Sequence, residues 1–146
     1  MPSWQSSYLS SISSPIIGGM RLVPDVSVVA DAQHSAIAIY HKQQWLMEGG
    51  TSAGAPIWAG ISALFAQYLS NKNQSLPALV KVTPGGFNGL LYQTGVTQGA
   101  NAGFYDIVSG TNNLTTNTCT VCTATIGYDG VTGLGAPNVT KLFTNF

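Results

Sequence analysis

The run Gly49-Gly50-Thr51-Ser52-Ala53-Gly54-Ala55-Pro56 leads directly into an apolar stretch over residues 53–69, and this pairing constrains the fold more than any other feature of the chain. Ala, Ile, Trp, Leu, Phe and Tyr recur on nearly every side of that stretch, which predicts a helix buried within a larger fold rather than an amphipathic surface helix. Such a helix needs layers packed on both of its sides. The preceding glycines let the backbone turn sharply and let a substrate come close. A helix that starts right after Ser52 aims free N–H groups and a partial positive charge at any oxyanion formed there. Ser52 therefore reads as a nucleophile. The competing reading is a helix cap, because Ser and Thr accept N–H bonds at helix starts and Pro56 suits a first turn. Two glycines before the serine and small residues after it favour the nucleophile, since small neighbours leave room for a substrate and a cap does not need it.

A serine hydroxyl needs a base, and the chain has two histidines. His34 and His41 sit in or beside a proposed hairpin in polar surroundings, without the small-residue context that seats an imidazole in a cleft. Glu48 precedes the glycines, whose freedom leaves its direction open. No triad assembles from this sequence.

Composition narrows the partners. A chain of 146 residues fits one domain, with room for a core but small for a complete protease. Five Lys and Arg balance five Asp and Glu, and only 7% of residues are charged, which excludes nucleic acid and anionic membrane as electrostatic partners. A surface built from Ser, Thr, Asn, Gln and Gly hydrogen-bonds water at any pH and suits an extracellular or acidic setting. No apolar run approaches the roughly 18 to 20 residues that span a bilayer; the 53–69 stretch is broken by Pro56, Gly60 and Gln67. Met1-Pro2-Ser3-Trp4 has neither the basic start nor the apolar core of a signal peptide, so this segment carries no export signal of its own. The two cysteines, Cys119 and Cys122, are compatible with a local disulfide loop, a redox pair, half a zinc site or two free thiols, and no second Cys or His pair supports zinc.

Along the chain, residues 1–20 read as an irregular surface segment anchored by Trp4 and Tyr8. Residues 21–31 mix β-branched residues with Pro24, Asp25 and Asp31, and residues 36–40 and 44–47 form a hairpin pattern, giving two or three strands in all. Residues 71–86 are loop with a short helical turn over 76–82, and 88–93 form a short helix. Residues 100–135 lack hydrophobic periodicity and read as a long loop that needs something besides a core to hold it, such as a bound ion. A closing helix over 137–146 turns Val139, Leu142 and Phe143 inward. No repeat or low-complexity linker is present.

Taken together, Gly50-Thr51-Ser52-Ala53-Gly54-Ala55-Pro56, the upstream Arg21-Leu22-Val23-Pro24-Asp25-Val26-Ser27, and the downstream blocks Tyr105-Asp106-Ile107 and Gly127-Tyr128-Asp129-Gly130-Val131-Thr132-Gly133-Leu134-Gly135-Ala136-Pro137-Asn138 resemble the C-terminal part of a sedolisin, a serine-carboxyl peptidase. Subtilisins share a similar Gly-Thr-Ser and Pro signature, and the Asp106 and Asp129 blocks favour sedolisin over them. The resemblance implies an α/β, subtilisin-like fold, with residues 1–146 as the C-terminal half of a peptidase domain and a buried central helix after the nucleophile. It also implies an acid-active endopeptidase acting on peptide or protein substrates. In that family the base is a glutamate oriented by an aspartate, and a further aspartate serves the oxyanion, all from segments upstream of those matched here. Only Ser52 carries over as a catalytic group; Asp25, Asp31 and Glu48 fill none of the vacancies. The missing N-terminal part of the domain is thus an expected partner, and half of a sheet is expected to leave strand edges and helix flanks exposed.

Asp106 and Asp129 alone read as turn and capping residues. The resemblance instead implies calcium, bound by the Asp106 and Asp129 side chains with carbonyls of Ile107, Thr125 and Gly127. Calcium prefers such hard oxygen ligands, and a backbone carbonyl at Thr125 does not depend on side-chain identity. Two other readings stand beside the peptidase: a non-catalytic remnant that binds peptide, and a subtilisin-type fragment with an upstream histidine base.

Overall fold

In a computed structural model of the chain, the residues described are 1–11, 19–98, 103–113, 119 and 121–146, with backbone only for 95–98. The order of elements is α1 (Ser3–Ser11), β1 (Ile37–His41), β2 (Gln44–Glu48), a 3₁₀ turn (Thr51–Ala53), α2 (Gly54–Asn71), α3 (Leu76–Val82), α4 (Gly86–Gln98), β3 (Phe104–Tyr105), β4 (Ala136–Pro137) and α5 (Val139–Thr144). β1 pairs antiparallel with β2, and β3 with β4, as separate two-stranded sheets.

The core forms where α1, α2, α4 and α5 meet the 128–134 segment, around Tyr8, Leu9, Ile61, Leu91, Tyr92, Phe104, Tyr128, Leu134 and Leu142. Tyr92 is its hub: the ring meets Trp4 edge-on at 4.9 Å, Tyr8 at 5.6 Å and Tyr128 at 6.1 Å. Phe65 of α2 stacks on Phe143 of α5 at 5.1 Å, which seats the closing helix. Val139 and Phe143 pack against the core and Leu142 enters it, as the sequence predicts.

Several expectations are revised. The first segment is the helix α1 over its described residues, not irregular chain. Its serines mask the signal, and its inward positions include a polar one, Gln5, fully buried because Leu22 N donates to its Oε1 at 2.9 Å and its Nε2 donates to Leu22 O and Tyr92 Oη, both at 3.0 Å. Trp4 and Tyr8 are the anchors expected. Residues 21–31 run without strand pairing, since their backbone bonds go to loops: Leu134 N to Asp25 O at 2.8 Å and Ser27 N to Gly135 O at 3.0 Å. α4 is longer than the 88–93 segment. Its glycines weaken helix propensity, and burial of Leu90, Leu91 and Tyr92 compensates. The 100–135 stretch holds the short strand β3 and isolated bridges Thr111 with Thr123 and Asp129 with Gly133; its residues 100–102, 114–118 and 120 lie outside those described.

The expected all-round burial of the central helix is not what this chain achieves. Only Ile61, Phe65 and Leu69, one stripe at spacing four, are buried; Ala55, Ala59, Ala63 and Leu64 face outward. No described element covers that apolar side. The hairpin is equally bare. Tyr40 and Trp45 are cross-strand partners, 60% and 71% exposed, and Met47 stands beside them at 67%. No helix among the described residues is long and apolar enough to cross a membrane.

Candidate active site and loop carboxylates

β2 delivers the chain to Gly49 and Gly50, where two constraints demand glycine. Gly50 has φ 102°, in the left-handed region, and a Cβ on Gly49 would fall 2.5 Å from Ala32 N. The bond from Gly50 N to Ala30 O, 2.5 Å, ties this corner to the 25–30 segment. Ala53 N then donates to Gly50 O at 3.0 Å and Gly54 N to Thr51 O, closing one 3₁₀ turn before α2 begins.

Ser52 sits exposed on that turn. Neither the turn nor α2 has a side-chain cap, so the hydroxyl does not serve the helix start. The position is the positive end of an 18-residue helix. Beside it an open cavity of about 240 Å³ runs between the 26–30 segment and the start of α2, with Val28 packed 3.3 Å from where a Gly54 Cβ would stand. Ser27 Oγ and Trp58 Nε1, from residues lining that cavity, are buried without a partner among the described residues.

No base stands at the serine among the described residues. His34 Nδ1 lies 2.7 Å from Asp31 Oδ2 in an exposed local turn. Asp31 is held below the ordinary carboxylate range chiefly by the Gln33 N–H, then by the His34 side chain and N–H. That is the chemistry of a turn cap. His41 ends β1 and Glu48 ends β2, both exposed and neither bonded to Ser52.

Asp106 and Asp129, far apart in sequence, are brought to the two ends of one short stretch. Gly127 N donates to Asp106 Oδ2 at 2.8 Å and Thr125 N to Asp129 Oδ2 at 3.0 Å. Asp129 is 2% exposed and also accepts from Val131 N at 2.9 Å, Thr132 N at 2.8 Å and Thr132 Oγ1. Asp106 Oδ1, by contrast, is buried with no partner among the described residues. A buried carboxylate oxygen without a donor is costly unless a cation meets it, so the residues fit a hard cation such as calcium. No cluster of three or more His, Cys, Asp or Glu side chains exists among the described residues, leaving carbonyls to complete any such site. Cys119 and Cys122 form a disulfide, which selects one of the four readings open from sequence.

The sequence singled out neither Asp25 nor its partners as a cluster. Asp25 Oδ1 accepts from Tyr92 Oη at 3.0 Å, and Oδ2 accepts from Asn88 Nδ2 at 2.9 Å and from Arg21 at 2.5 Å. Separations of 63 and 67 residues hide the α4 contacts from any local pattern.

No family model matches the chain. Curated proteins do. The chain is 36% identical to tripeptidyl-peptidase 1 of Dictyostelium discoideum over 145 residues, covering 94% of this chain and 21% of that protein. It is 34% identical to tripeptidyl-peptidase sed1 of Aspergillus fumigatus over 131 residues, 86% of this chain and 17% of that protein. It is 33% identical to kumamolisin of a Bacillus species over 138 residues, 94% of this chain and 22% of that protein. The chain therefore spans about a fifth of the length of these relatives. All three are sedolisins, which brings with it a subtilisin-like α/β fold. Similarity to three peptidases of one kind over most of its residues places this chain in the sedolisin family of serine-carboxyl peptidases.

Proposed function

We propose that the chain is the nucleophile-bearing C-terminal portion of an acid-active serine-carboxyl endopeptidase domain, working in an extracellular or acidic compartment on peptide or protein substrates. The observation that carries this reading is Ser52, exposed and uncapped at the positive end of α2 on a glycine-set turn.

In the proposed reaction Ser52 Oγ attacks the scissile carbonyl carbon while its proton passes to a carboxylate from the remainder of the domain. Collapse of the tetrahedral adduct breaks the C–N bond, the amine leaves with that proton, and water then hydrolyses the acyl ester. The α2 N-terminus opposes the negative charge on the carbonyl oxygen. A carboxylate base with a pKa near ~4 is matched to acidic medium, and a carboxyl group donating to the oxyanion must be protonated; both favour low pH. The bare side of α2 and the bare hairpin support a partner of the same nature, the remainder of the peptidase domain, covering uncharged small and apolar residues.

Calcium belongs to the same proposal. Asp106 and Asp129 side chains would hold it, with carbonyls of Ile107, Thr125 and Gly127, and the bound cation would supply fixed charge that joins the two carboxylate segments. The orphaned Asp106 Oδ1 supports it.

Supplied with the N-terminal part of the domain, the protein is expected to cleave peptides at acidic pH, and Ser52→Ala to abolish turnover. Undiminished cleavage by Ser52→Ala would sink the assignment, and peptide binding without turnover in the unmutated protein would favour a non-catalytic module. Two relatives are named tripeptidyl-peptidases, which favours a second reading, release of tripeptides from a free amino terminus. N-acetylated peptides separate the two, since an endopeptidase still cleaves them.

A further inference from the structure

We infer that Asp25 is a positioning residue: it fixes a strap, residues 25–30, through which the Asp129–Gly135 loop sets the corner that presents Ser52. The inference rests on the calcium and nucleophile readings above and adds a physical connection between them.

The strap is bonded at both ends. At its start, Leu134 N donates to Asp25 O at 2.8 Å and Ser27 N to Gly135 O at 3.0 Å, while Tyr128 Oη donates to Pro24 O at 2.9 Å. Gly133, at φ 63°, lies so close that a Cβ there would come within 2.4 Å of the Asp25 carbonyl carbon and oxygen. A Cβ on Gly135 would come within 2.1 Å of Tyr105 O and 3.3 Å of Asp106 Cα, so the loop is wedged between Asp25 and the Tyr105–Asp106 segment. At its end, Ala30 O accepts from Gly50 N at 2.5 Å and Val28 packs against Gly54, on either side of Ser52.

Backbone bonds alone would let the strap slide with the loop. The Asp25 carboxylate prevents that by anchoring to α4 through Asn88 and Tyr92 and to Arg21. Ordering of the Asp129 loop therefore clamps residue 25 between the loop and α4, and this restraint, not a movement, passes along the strap to Gly50. Coupling between sites of this kind is typically a few-fold to about a hundredfold.

The test is amide hydrogen exchange of this chain with and without calcium. In the unmutated protein calcium is expected to slow exchange at Leu134, Ser27 and Gly50, the last by about tenfold. In Asp25→Asn, where an amide N–H₂ faces one of the donors, protection at Leu134 is expected to persist while that at Gly50 falls below about twofold. Asn88→Ala, which removes one anchor at a half-buried position and leaves the core aromatic cluster intact, should show the same split more weakly and guards against a variant that does not fold. Equal calcium protection of Gly50 in all three proteins would overturn the strap, as would protection confined to Leu134 in the unmutated protein. Absence of any calcium effect at Leu134 would remove the metal reading and the strap with it, while leaving the Ser52 assignment to its own mutant.

Discussion

Removing the hydroxyl of Tyr92 tests how much the core depends on one polar contact. Tyr92 is fully buried, and Tyr92→Phe leaves its contacts with Trp4, Tyr8 and Tyr128 in place. Two hydrogen bonds vanish: the one donated to Asp25 Oδ1 and the one accepted from Gln5 Nε2, each 3.0 Å. Gln5 Nε2 keeps its bond to Leu22 O, so its loss is small. Asp25 Oδ1 has no other donor among the described residues, so the carboxylate is left short of a partner in a partly buried site. A bond to a charged group contributes about 1.5–3 kcal/mol and a neutral one about 1 kcal/mol, giving a total near 3 kcal/mol. At roughly 2–4 °C per kcal/mol for a chain of this size, the melting temperature should fall by about 6–12 °C. Thermal unfolding followed by far-UV circular dichroism at neutral pH reads this directly, and urea unfolding should show an unchanged slope with a lower midpoint. A fall of less than about 2 °C would refute the reasoning, because it would mean that water satisfies Asp25 as well as the phenol does.

Burial, with nearby Asp106 second, pushes the Tyr8 phenol up to about 12; burial likewise pushes Tyr128 to about 12 and Tyr92 higher still. An unfolded phenol ionises near ~10. The folded chain thus holds protons that the unfolded chain releases, so stability is intact below about pH 10 and falls between about pH 10 and 12. Phenolate absorbance that rises together with loss of circular dichroism would show this, and phenolate appearing near pH 10 with the fold intact would contradict it. Gly133→Ala places a Cβ at φ 63° and 2.4 Å from the Asp25 backbone, and should cost at least about 2 kcal/mol in a urea titration. Calcium should raise the melting temperature, as expected of a ligand that binds the folded form, and Asp106→Ala should abolish the rise; a shift retained in that variant would place the ion elsewhere.

Where local chemistry dictates the backbone, the sequence was legible. The hairpin follows from β-branched and aromatic alternation, although its two-residue turn uses Lys42 and Gln43 at φ 48° and 63° instead of the usual Asn-Gly. α3 follows from Ser75, whose Oγ accepts from Ala78 N, with Pro77 in the first turn. α1 was not legible, because its buried polar residue, Gln5, is rewarded only by partners at 22 and 92. Nor was the unpaired course of residues 21–31, whose β-branched residues favour strand while their bonding partners lie at 134 and 135.

The same division runs through the candidate site. Sequence by itself determined the glycine-set turn at Ser52, the apolar helix after it, the near-absence of charge and, by the order of its motifs, the family. These are properties of neighbouring residues and of composition, and they hold whatever else the chain packs against. Tertiary structure decided that Ser52 leaves the helix uncapped, that Asp106 and Asp129 flank one three-residue stretch with one oxygen unmet, and that Asp25 joins the loop to the serine corner. It also decided that α2 buries one stripe and leaves its other side bare. Hydrogen bonds across 21 to 104 residues and burial against distant elements exist only once the chain has folded, which is why no local pattern announces them.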